Sequence, residues 1–396
     1  MPAASAAGYN LSKYPLSLMS LHLLSSSLHS EHLSLPFTLP EEWTATHQVV
    51  AILTGGTEHQ FLDLVERGDI DLSQPIYLVV TQRSNSLAAA MEILTWINLH
   101  QGHAHILTKE VKSEEVKSEE SSSEANNEEP ITFPNSHILT LSEASTFAEV
   151  RLGAIGSPSD WLIASPYSPD ILHDRLGIDI VNIPITEVTS LGKVESGLKG
   201  AERIYERLKE IIEQYHLNAI TLRCFDLLTT VGNTGCIALS LLNDEGIPAS
   251  CEGDVPTLVT MILCQRLTGC PGFQANPARI DPQSGKILMA HCTLPLTMTT
   301  SHTLTTHFES GIGVAIHGEL PEGPYTLVKV SGDLTRLFAE NVTLTANQYA
   351  PDLCRTQVWL QATPEAAQRL LSHPIANHHV LIPGHWKDTF HALLSE

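Results

Sequence analysis

Three stretches of this chain carry side chains able to gather around one divalent cation. The first is Gly246-Ile-Pro-Ala-Ser-Cys-Glu252-Gly-Asp254, followed by a helical run from Pro256 to Leu267. The second is Thr268-Gly-Cys-Pro-Gly-Phe-Gln-Ala-Asn276, and the third is Ile287-Leu-Met-Ala-His291-Cys-Thr-Leu-Pro295. A carboxylate at a strand-to-helix turn, an amide oxygen after the helix and an imidazole closing an apolar run supply the oxygen and nitrogen donors that a divalent metal prefers. Each residue also has a plainer reading. Glu252 is either a ligand and acid–base group or a helix-start carboxylate facing the dipole. Asp254 suits an N-cap, because a short acidic side chain satisfies free N–H groups there. Asn276 precedes Pro277 and fits a turn, and His291 fits a core histidine.

These side chains need elements to hold them. Gln48–Thr54, Pro75–Thr81 and His103–Thr108 read as short parallel strands. The helices between them span Glu58 to Glu66 and Asn85 to His100. The rhythm resumes with Ala154–Ser157 and Asp160–Ser165. It continues through Ile178–Pro184, a helix from Gly200 to His216, Ala219–Phe225, a helix from Thr234 to Glu245, and Ile247–Cys251. Beyond about residue 270, short strands at Thr303–Phe308, Gly313–Ile316, Tyr325–Val330 and Cys354–Leu360 are broken by Gly and Pro turns, with a last helix from Trp386 to Leu394. The predicted fold class is therefore α/β: two doubly wound domains followed by an antiparallel β barrel or sandwich. The expected boundaries are an N-terminal extension at 1–45, α/β domains at 46–165 and 166–270, and a mainly β domain at 271–396. Asp226 and Glu252 both close predicted strands, where open α/β sheets bind ligands.

Residues 109–130 repeat Val-Lys-Ser-Glu-Glu and are dominated by Glu and Ser, which predicts a solvated, disordered insertion. The chain has 396 residues, 42% apolar and 17% charged, enough for two or three folded domains. Its formal charge of −22 excludes nucleic acid and anionic membranes as expected partners, since both need clustered Lys and Arg. Seven Cys without a CxxC pair suit buried, reduced thiols in the cytoplasm. No run reaches the roughly 18 apolar residues of a membrane span. Residues 9–34, rich in Leu, Ser and His, lack the basic start and continuous apolar core of a signal peptide. Gly55-Gly56-Thr57-Glu58 reads as a tight turn at a strand end, or as a sugar contact from a neighbouring subunit; it has neither GxGxxG nor a P-loop Lys, which weakens an NAD-type oxidoreductase reading.

In combination, the motifs resemble those of L-fucose and L-arabinose isomerases, and more closely the shorter fucose-isomerase-like proteins. The resemblance is carried by Cys251-Glu-Gly-Asp-Val255, the Asn276 segment, Ala290-His-Cys-Thr293, Leu53-Thr-Gly-Gly-Thr-Glu58 and Asn85-Ser-Leu-Ala-Ala-Ala-Met-Glu92. Thr306-His-Phe-Glu-Ser-Gly-Ile-Gly313, Cys354-Arg-Thr-Gln357 and Asn377-His-His379 extend it, so that it covers most of residues 46–385. It implies an enzyme interconverting an aldose and a ketose with Mn²⁺. It also implies a homo-oligomer, trimer or hexamer, with a small sugar bound at subunit boundaries. The implied metal ligands are Glu252, Asn276, His291 and one of His378 and His379, whose adjacent side chains on an extended segment point to opposite faces.

One departure matters. Where that pattern has Asp or Glu, this chain has Asn276. Asn can ligate a hard cation but cannot take a proton, and an enediol mechanism needs a carboxylate to move one. Asp226, Asp254 or Glu309 are the candidate substitutes, with Glu252 as the principal acid–base group. His307 and Glu309, two apart on a predicted strand, share a face and suit a substrate-contacting wall or, equally, a surface pair. Arg355 suits either a structural ion pair or a bidentate contact to a sugar oxygen or an anionic group. The expected function is a metal-dependent aldose–ketose isomerase of a sugar or sugar derivative. The alternative is a carbohydrate-binding or scaffold relative that has lost one acid–base carboxylate.

Overall fold

The computed structural model describes residues 21–26, 48–108, 150–270 and 272–394. The acidic tract at 109–130 and most of the 1–45 extension lie outside the described residues.

Apolar runs, β-branched in the two central strands, build the first sheet: β1 (Leu21–Leu24), β2 (Gln48–Ile52), β3 (Ile76–Val80) and β4 (Ala104–Leu107), all parallel, in the order 1-2-3-4. Helices α1 (Glu58–Glu66) and α2 (Ser86–Leu99) connect its strands. Strand β1 comes from the expected N-terminal extension: its register places Leu21 against Val49 and Leu24 against Ile52. Part of that segment thus completes a sheet. Helix α2 is buried on nearly every side because it lies between the sheet and the first barrel strand. Glu92 is its one acidic residue, and it is fully buried.

The second sheet contains β5 (Val150–Ile155), β6 (Ile178–Ile183), β7 (Ala219–Leu222) and β8 (Ala249–Cys251), parallel, in the order 6-5-7-8. Its connections are α3 (Pro169–Leu176), α4 (Thr186–Thr189), α5 (Leu198–Tyr215), α6 (Asp226–Thr230) and α7 (Cys236–Asp244). Strand order reverses between β5 and β7, the crevice where doubly wound sheets bind ligands. Among the described strands this reversal is seen in the second sheet and not in the first. The segment Asp160–Ser165, expected as a strand, is a loop. Its backbone and side-chain groups turn to a buried carboxylate: Ala164 N–H and Ser165 Oγ both donate to Glu92.

Helix α8 (Val255–Thr268) leaves β8 and is apolar all round, since it packs on β7 and β8 on one side and on the barrel on the other. The barrel is closed by six antiparallel strands. They are β9 (Phe273–Asp281), β10 (Lys286–His291), β13 (Gly323–Val330), β14 (Leu337–Gln348), β15 (Thr356–Gln361) and β16 (His379–Pro383), arranged 10-15-14-13-16-9. Strands β11 (Ser301–Thr305) and β12 (Ala315–Glu319) form a separate hairpin. Helix α9 (Pro364–Ser372) precedes β16, and α10 (Lys387–Leu394) ends the described chain. Asn276 stands on β9 rather than in a turn. Pro277 is tolerated beside it because the β9–β10 register shifts there in a bulge. His307 and Glu309 lie beyond the end of β11, in the hairpin loop, so the shared strand face expected for them does not exist.

Among the described residues no helix is long and apolar enough to cross a membrane.

Candidate metal centre and sugar cleft

Glu252 caps β8 in a left-handed conformation, φ 66°, and Gly253 follows at φ 73°. A Cβ on Gly253 would lie 2.7 Å from Ser157 O, so the turn can press against the β5 loop only because residue 253 is glycine. A left-handed non-glycine residue is strained, and here the strain aims the Glu252 side chain into the crevice. Trp161 Nε1–H donates to Glu252 Oε2 at 2.5 Å. Glu252 Oε1 lies 3.6 Å from His378 Nε2 and 3.8 Å from His291 Nε2.

Those two separations are too long for hydrogen bonds. The three ligand atoms all lie within 4.8 Å of one another, in a buried group. Each imidazole is oriented through its other nitrogen. His378 Nδ1–H donates to Asp254 Oδ2 at 2.9 Å, and His291 Nδ1 is 2.8 Å from Thr293 Oγ1. His378 Nε2 is buried with no hydrogen-bond partner, and so is Asn276 Oδ1 on the cleft wall. Two oriented imidazoles with inward-facing nitrogens, a carboxylate and an orphaned amide oxygen form a donor set that fits a divalent cation, including the carboxylate that fixes the ligating histidine.

The electrostatics agree. Burial opposes ionisation of Glu252, yet His378 and His291 outweigh it and hold the carboxyl well below the usual carboxylate range. Burial would likewise lower His378, but the charge of Glu252 and the hydrogen bond and charge of Asp254 push it up to about 9. A proton on His378 thus supplies positive charge that a cation would supply on binding, so metal uptake should release protons.

Asp254 is fully buried and does not face the cleft. It accepts from Thr257 N and Thr257 Oγ1 as the α8 N-cap, and it lies 3.5 Å from the buried Lys329 Nζ. Its expected proton-transfer role gives way to orienting His378. Asp226 is a partly exposed residue tied to Arg223 Nε at 3.1 Å, and the neighbouring Phe225, not Asp226, lines the cleft. His379 is not brought to the centre. It takes the opposite face, with its ring 5.3 Å from Phe338 and Nδ1 against Asn377 O, as strand alternation demands. Arg355 is largely committed outside the cleft, with Nε donating to Thr306 O. His307 is buried, with its ring edge-on to Phe225 and Nδ1 on Ser310 Oγ. Glu309 does enter: it lines the cleft with Glu252 and Asn276.

The cleft has a cavity volume of about 90 Å³. Both sheets and the barrel region contribute to it: Gly55, Glu58 and Asn85 from beside the first sheet, Trp161, Phe225 and Glu252 from beside the second, and Asn276, Glu309 and Asn377 from the barrel region. The rings of Trp161 and Phe225 meet edge to face at 4.7 Å.

Several of these residues escaped assignment from sequence. Glu58 is almost fully buried with Oε2 unpartnered, and burial raises its carboxyl well above its ordinary value. Glu92 accepts from Ala164, Ser165 and Asn377, bracing the loop before His378, and burial pushes it up to about 7. The usable signal for Glu92 was a lone carboxylate in an otherwise apolar helix. Trp161 offered none beyond its place after a strand.

No family model matches the chain. It is similar to the sulfoquinovose isomerase of Clostridium sp. (strain MSTE9), 28% identical over 123 residues, covering 31% of this chain and 26% of that protein. The relatives are isomerases. The sulfoquinovose isomerase of Priestia aryabhattai is 23% identical over 212 residues, 46% of this chain and 48% of its own length. That of Alkalicoccus urumqiensis is 22% identical over 108 residues, 27% and 24% respectively. The chain thus spans about half the length, or less, of the curated relatives it matches.

Proposed function

We propose that this protein is a metal-dependent aldose–ketose isomerase acting on a sugar or sugar derivative through an enediol. The observation that carries the reading is the convergence of Glu252, His291 and His378 from three separate segments, with His378 Nδ1 fixed by Asp254 and its Nε2 left without a partner. The relatives' names point to the same chemistry.

Glu252, His291 and His378, with Asn276 Oδ1, would hold the cation, Mn²⁺ by the resemblance. When bound, such an ion supplies Lewis-acid polarisation of the substrate's vicinal oxygens. The remaining work falls to the chain. Glu252, ionised at neutral pH, takes the proton from the substrate's C2 and returns it to C1. Trp161 holds that carboxylate in place through its indole N–H. Trp161 and Phe225 offer an apolar wall to the C–H face of a sugar, and the amides of Asn85 and Asn377 offer hydrogen bonds to its hydroxyls. The protein is proposed to act as a cytoplasmic homo-oligomer.

The test is exchange of solvent deuterium into C2 of candidate aldoses, sulfoquinovose among them, together with metal analysis. Native protein should exchange label, and Glu252→Gln should lower the rate roughly 10²–10⁴-fold. A variant that keeps both metal and full turnover would refute the role of Glu252.

A second reading has one observation in its favour: Asn276 occupies the cleft with an amide where a proton-carrying carboxylate is expected. A carbohydrate-binding relative without catalysis would bind a polyol and exchange no label.

A further inference from the structure

Asn276 leaves the enediol chemistry one proton carrier short, and the cleft contains a carboxyl from elsewhere in the chain. We infer that Glu309, in the loop between β11 and β12, is the second proton-transferring group of the reaction, standing in for the acidic side chain absent at position 276. The inference rests on the isomerase reading above.

The geometry is specific. Glu309 lines the cleft together with Glu252 and Asn276. Its Oε1 accepts from Asn85 Nδ2 at 2.8 Å, across 224 residues of sequence. Asn85 is itself held in a left-handed conformation, φ 60°, against Gly55, where an added Cβ would lie 2.8 Å from the Asn85 Cβ. The loop is closed internally by His307 N to Ile312 O and Gly311 N to His307 O. It is fastened beside the second sheet by Val314 N to Thr234 Oγ1 and by His307 against Phe225. Gly313 allows that fastening, since a Cβ there would lie 2.6 Å from Thr234 Cγ2. Side chains from beside both sheets and from the barrel region therefore position one carboxyl on the reacting cleft.

The other two substitutes read from the sequence are committed elsewhere, Asp226 to Arg223 and Asp254 to His378 and Lys329. The environments of Glu252 and Glu309 are driven apart, which separates base from acid. Burial, and then the charge of Glu252, push Glu309 up to about 8 against the Asn85 hydrogen bond, so it carries a proton at neutral pH. The groups facing it are Asn85 from the start of α2, Glu252 from the β8–α8 turn, Cys292 after β10 and Cys354 before β15, with Glu58 of α1 on the same cleft and Arg355 behind His307.

The step balances. The Glu252 carboxylate takes the proton from C2 while the Glu309 carboxyl gives its proton to O1; the C2–H electrons form C1=C2, and the carbonyl pair moves to O1. Glu252 then returns its proton to C1 as the Glu309 carboxylate takes the proton from O2, which becomes the ketone oxygen. Both side chains end as they began.

The test compares native protein with Glu309→Gln, which keeps a hydrogen-bonding side chain but cannot carry a proton. The inference predicts a fall in kcat of roughly 10²–10⁴-fold. KM, and the calorimetric affinity for an unreactive alditol, should change less than about threefold, as expected when only transition-state help is lost. Native activity should carry an alkaline limb, since burial holds the Glu309 carboxyl protonated above its ordinary range; any activity left in the variant should lack that limb. In metal-free protein at pH 7, the native-minus-variant infrared difference should contain a protonated-carboxyl C=O band that fades as pH is raised. Unchanged kcat, a change in KM alone, or no such band would each overturn the inference while leaving an active isomerase. A native protein that exchanges no label with any aldose would overturn the isomerase reading itself.

Discussion

At the scale of single residues, the site depends on how each polar atom is used. Asp254 is shared by the α8 N-cap, His378 and Lys329, whose side chain has no exposed surface. Asp254→Asn leaves Lys329 as a buried charge without its counter-ion. The expected loss is roughly 3–5 kcal/mol of unfolding free energy, read from denaturant melts at pH 7; a loss below about 1 kcal/mol would contradict the account. The pH dependence has a defined sign. Burial opposes the Asp254 charge, but Lys329 and His378 outweigh it and hold the carboxyl below its unfolded value. Its contribution is therefore present above the unfolded value, near ~3.9, and is lost as pH falls through the lower folded one. Glu252 and His291 were legible at this scale because each closes a recognisable strand, whereas Asn276 was expected in a turn and lies inside β9. Glu309 was legible as a residue but was placed on a strand face. Trp161 and Glu92 were not assigned: their importance comes from partners 72 or more residues away, as in Glu92 to Ala164 and Trp161 to Glu252, and a local pattern does not encode such pairings.

Elements supply the angles. The β8–α8 turn works because Glu252 accepts a left-handed backbone and Gly253 leaves room for the β5 loop. Gly253→Ala places a Cβ against the Ser157 carbonyl at positive φ. It should cost roughly 1–3 kcal/mol and weaken metal binding together with stability; a melt indistinguishable from the native protein would show that the turn is not strained. Apart from β1, the strands and helices of the first sheet were readable within a residue or two, and so was the long helix α5, since β-branched runs and Gly stops are strong local signals. In the second sheet β5 starts four residues before the expected strand, Asp160–Ser165 is a loop and α3 was missed. The barrel was harder. Strand β9 contains Pro277 and several polar residues and looks like a turn until its bulge against β10 is known. Strand β14 alternates weakly along twelve residues. Helix α9 was missed although Thr363, the following Pro364 and Glu365 form an ordinary helix start.

At the scale of the whole molecule, the centre exists because a sheet edge, a loop and a barrel rim meet. Helix α8 bridges the second sheet and the barrel. Helix α2, through Glu92, reaches both the Trp161 loop and the segment before His378. Strand β1, drawn from what looked like an appendage, extends the first sheet, and Ser26 just after it lines the cleft. The most direct measurement is anomalous diffraction from crystals of the full chain equilibrated with Mn²⁺. The account predicts one strong peak about 2.0–2.6 Å from a Glu252 oxygen and from the Nε2 atoms of His291 and His378. Absence of a peak there, with Glu252 closed onto a protonated His378, would contradict it.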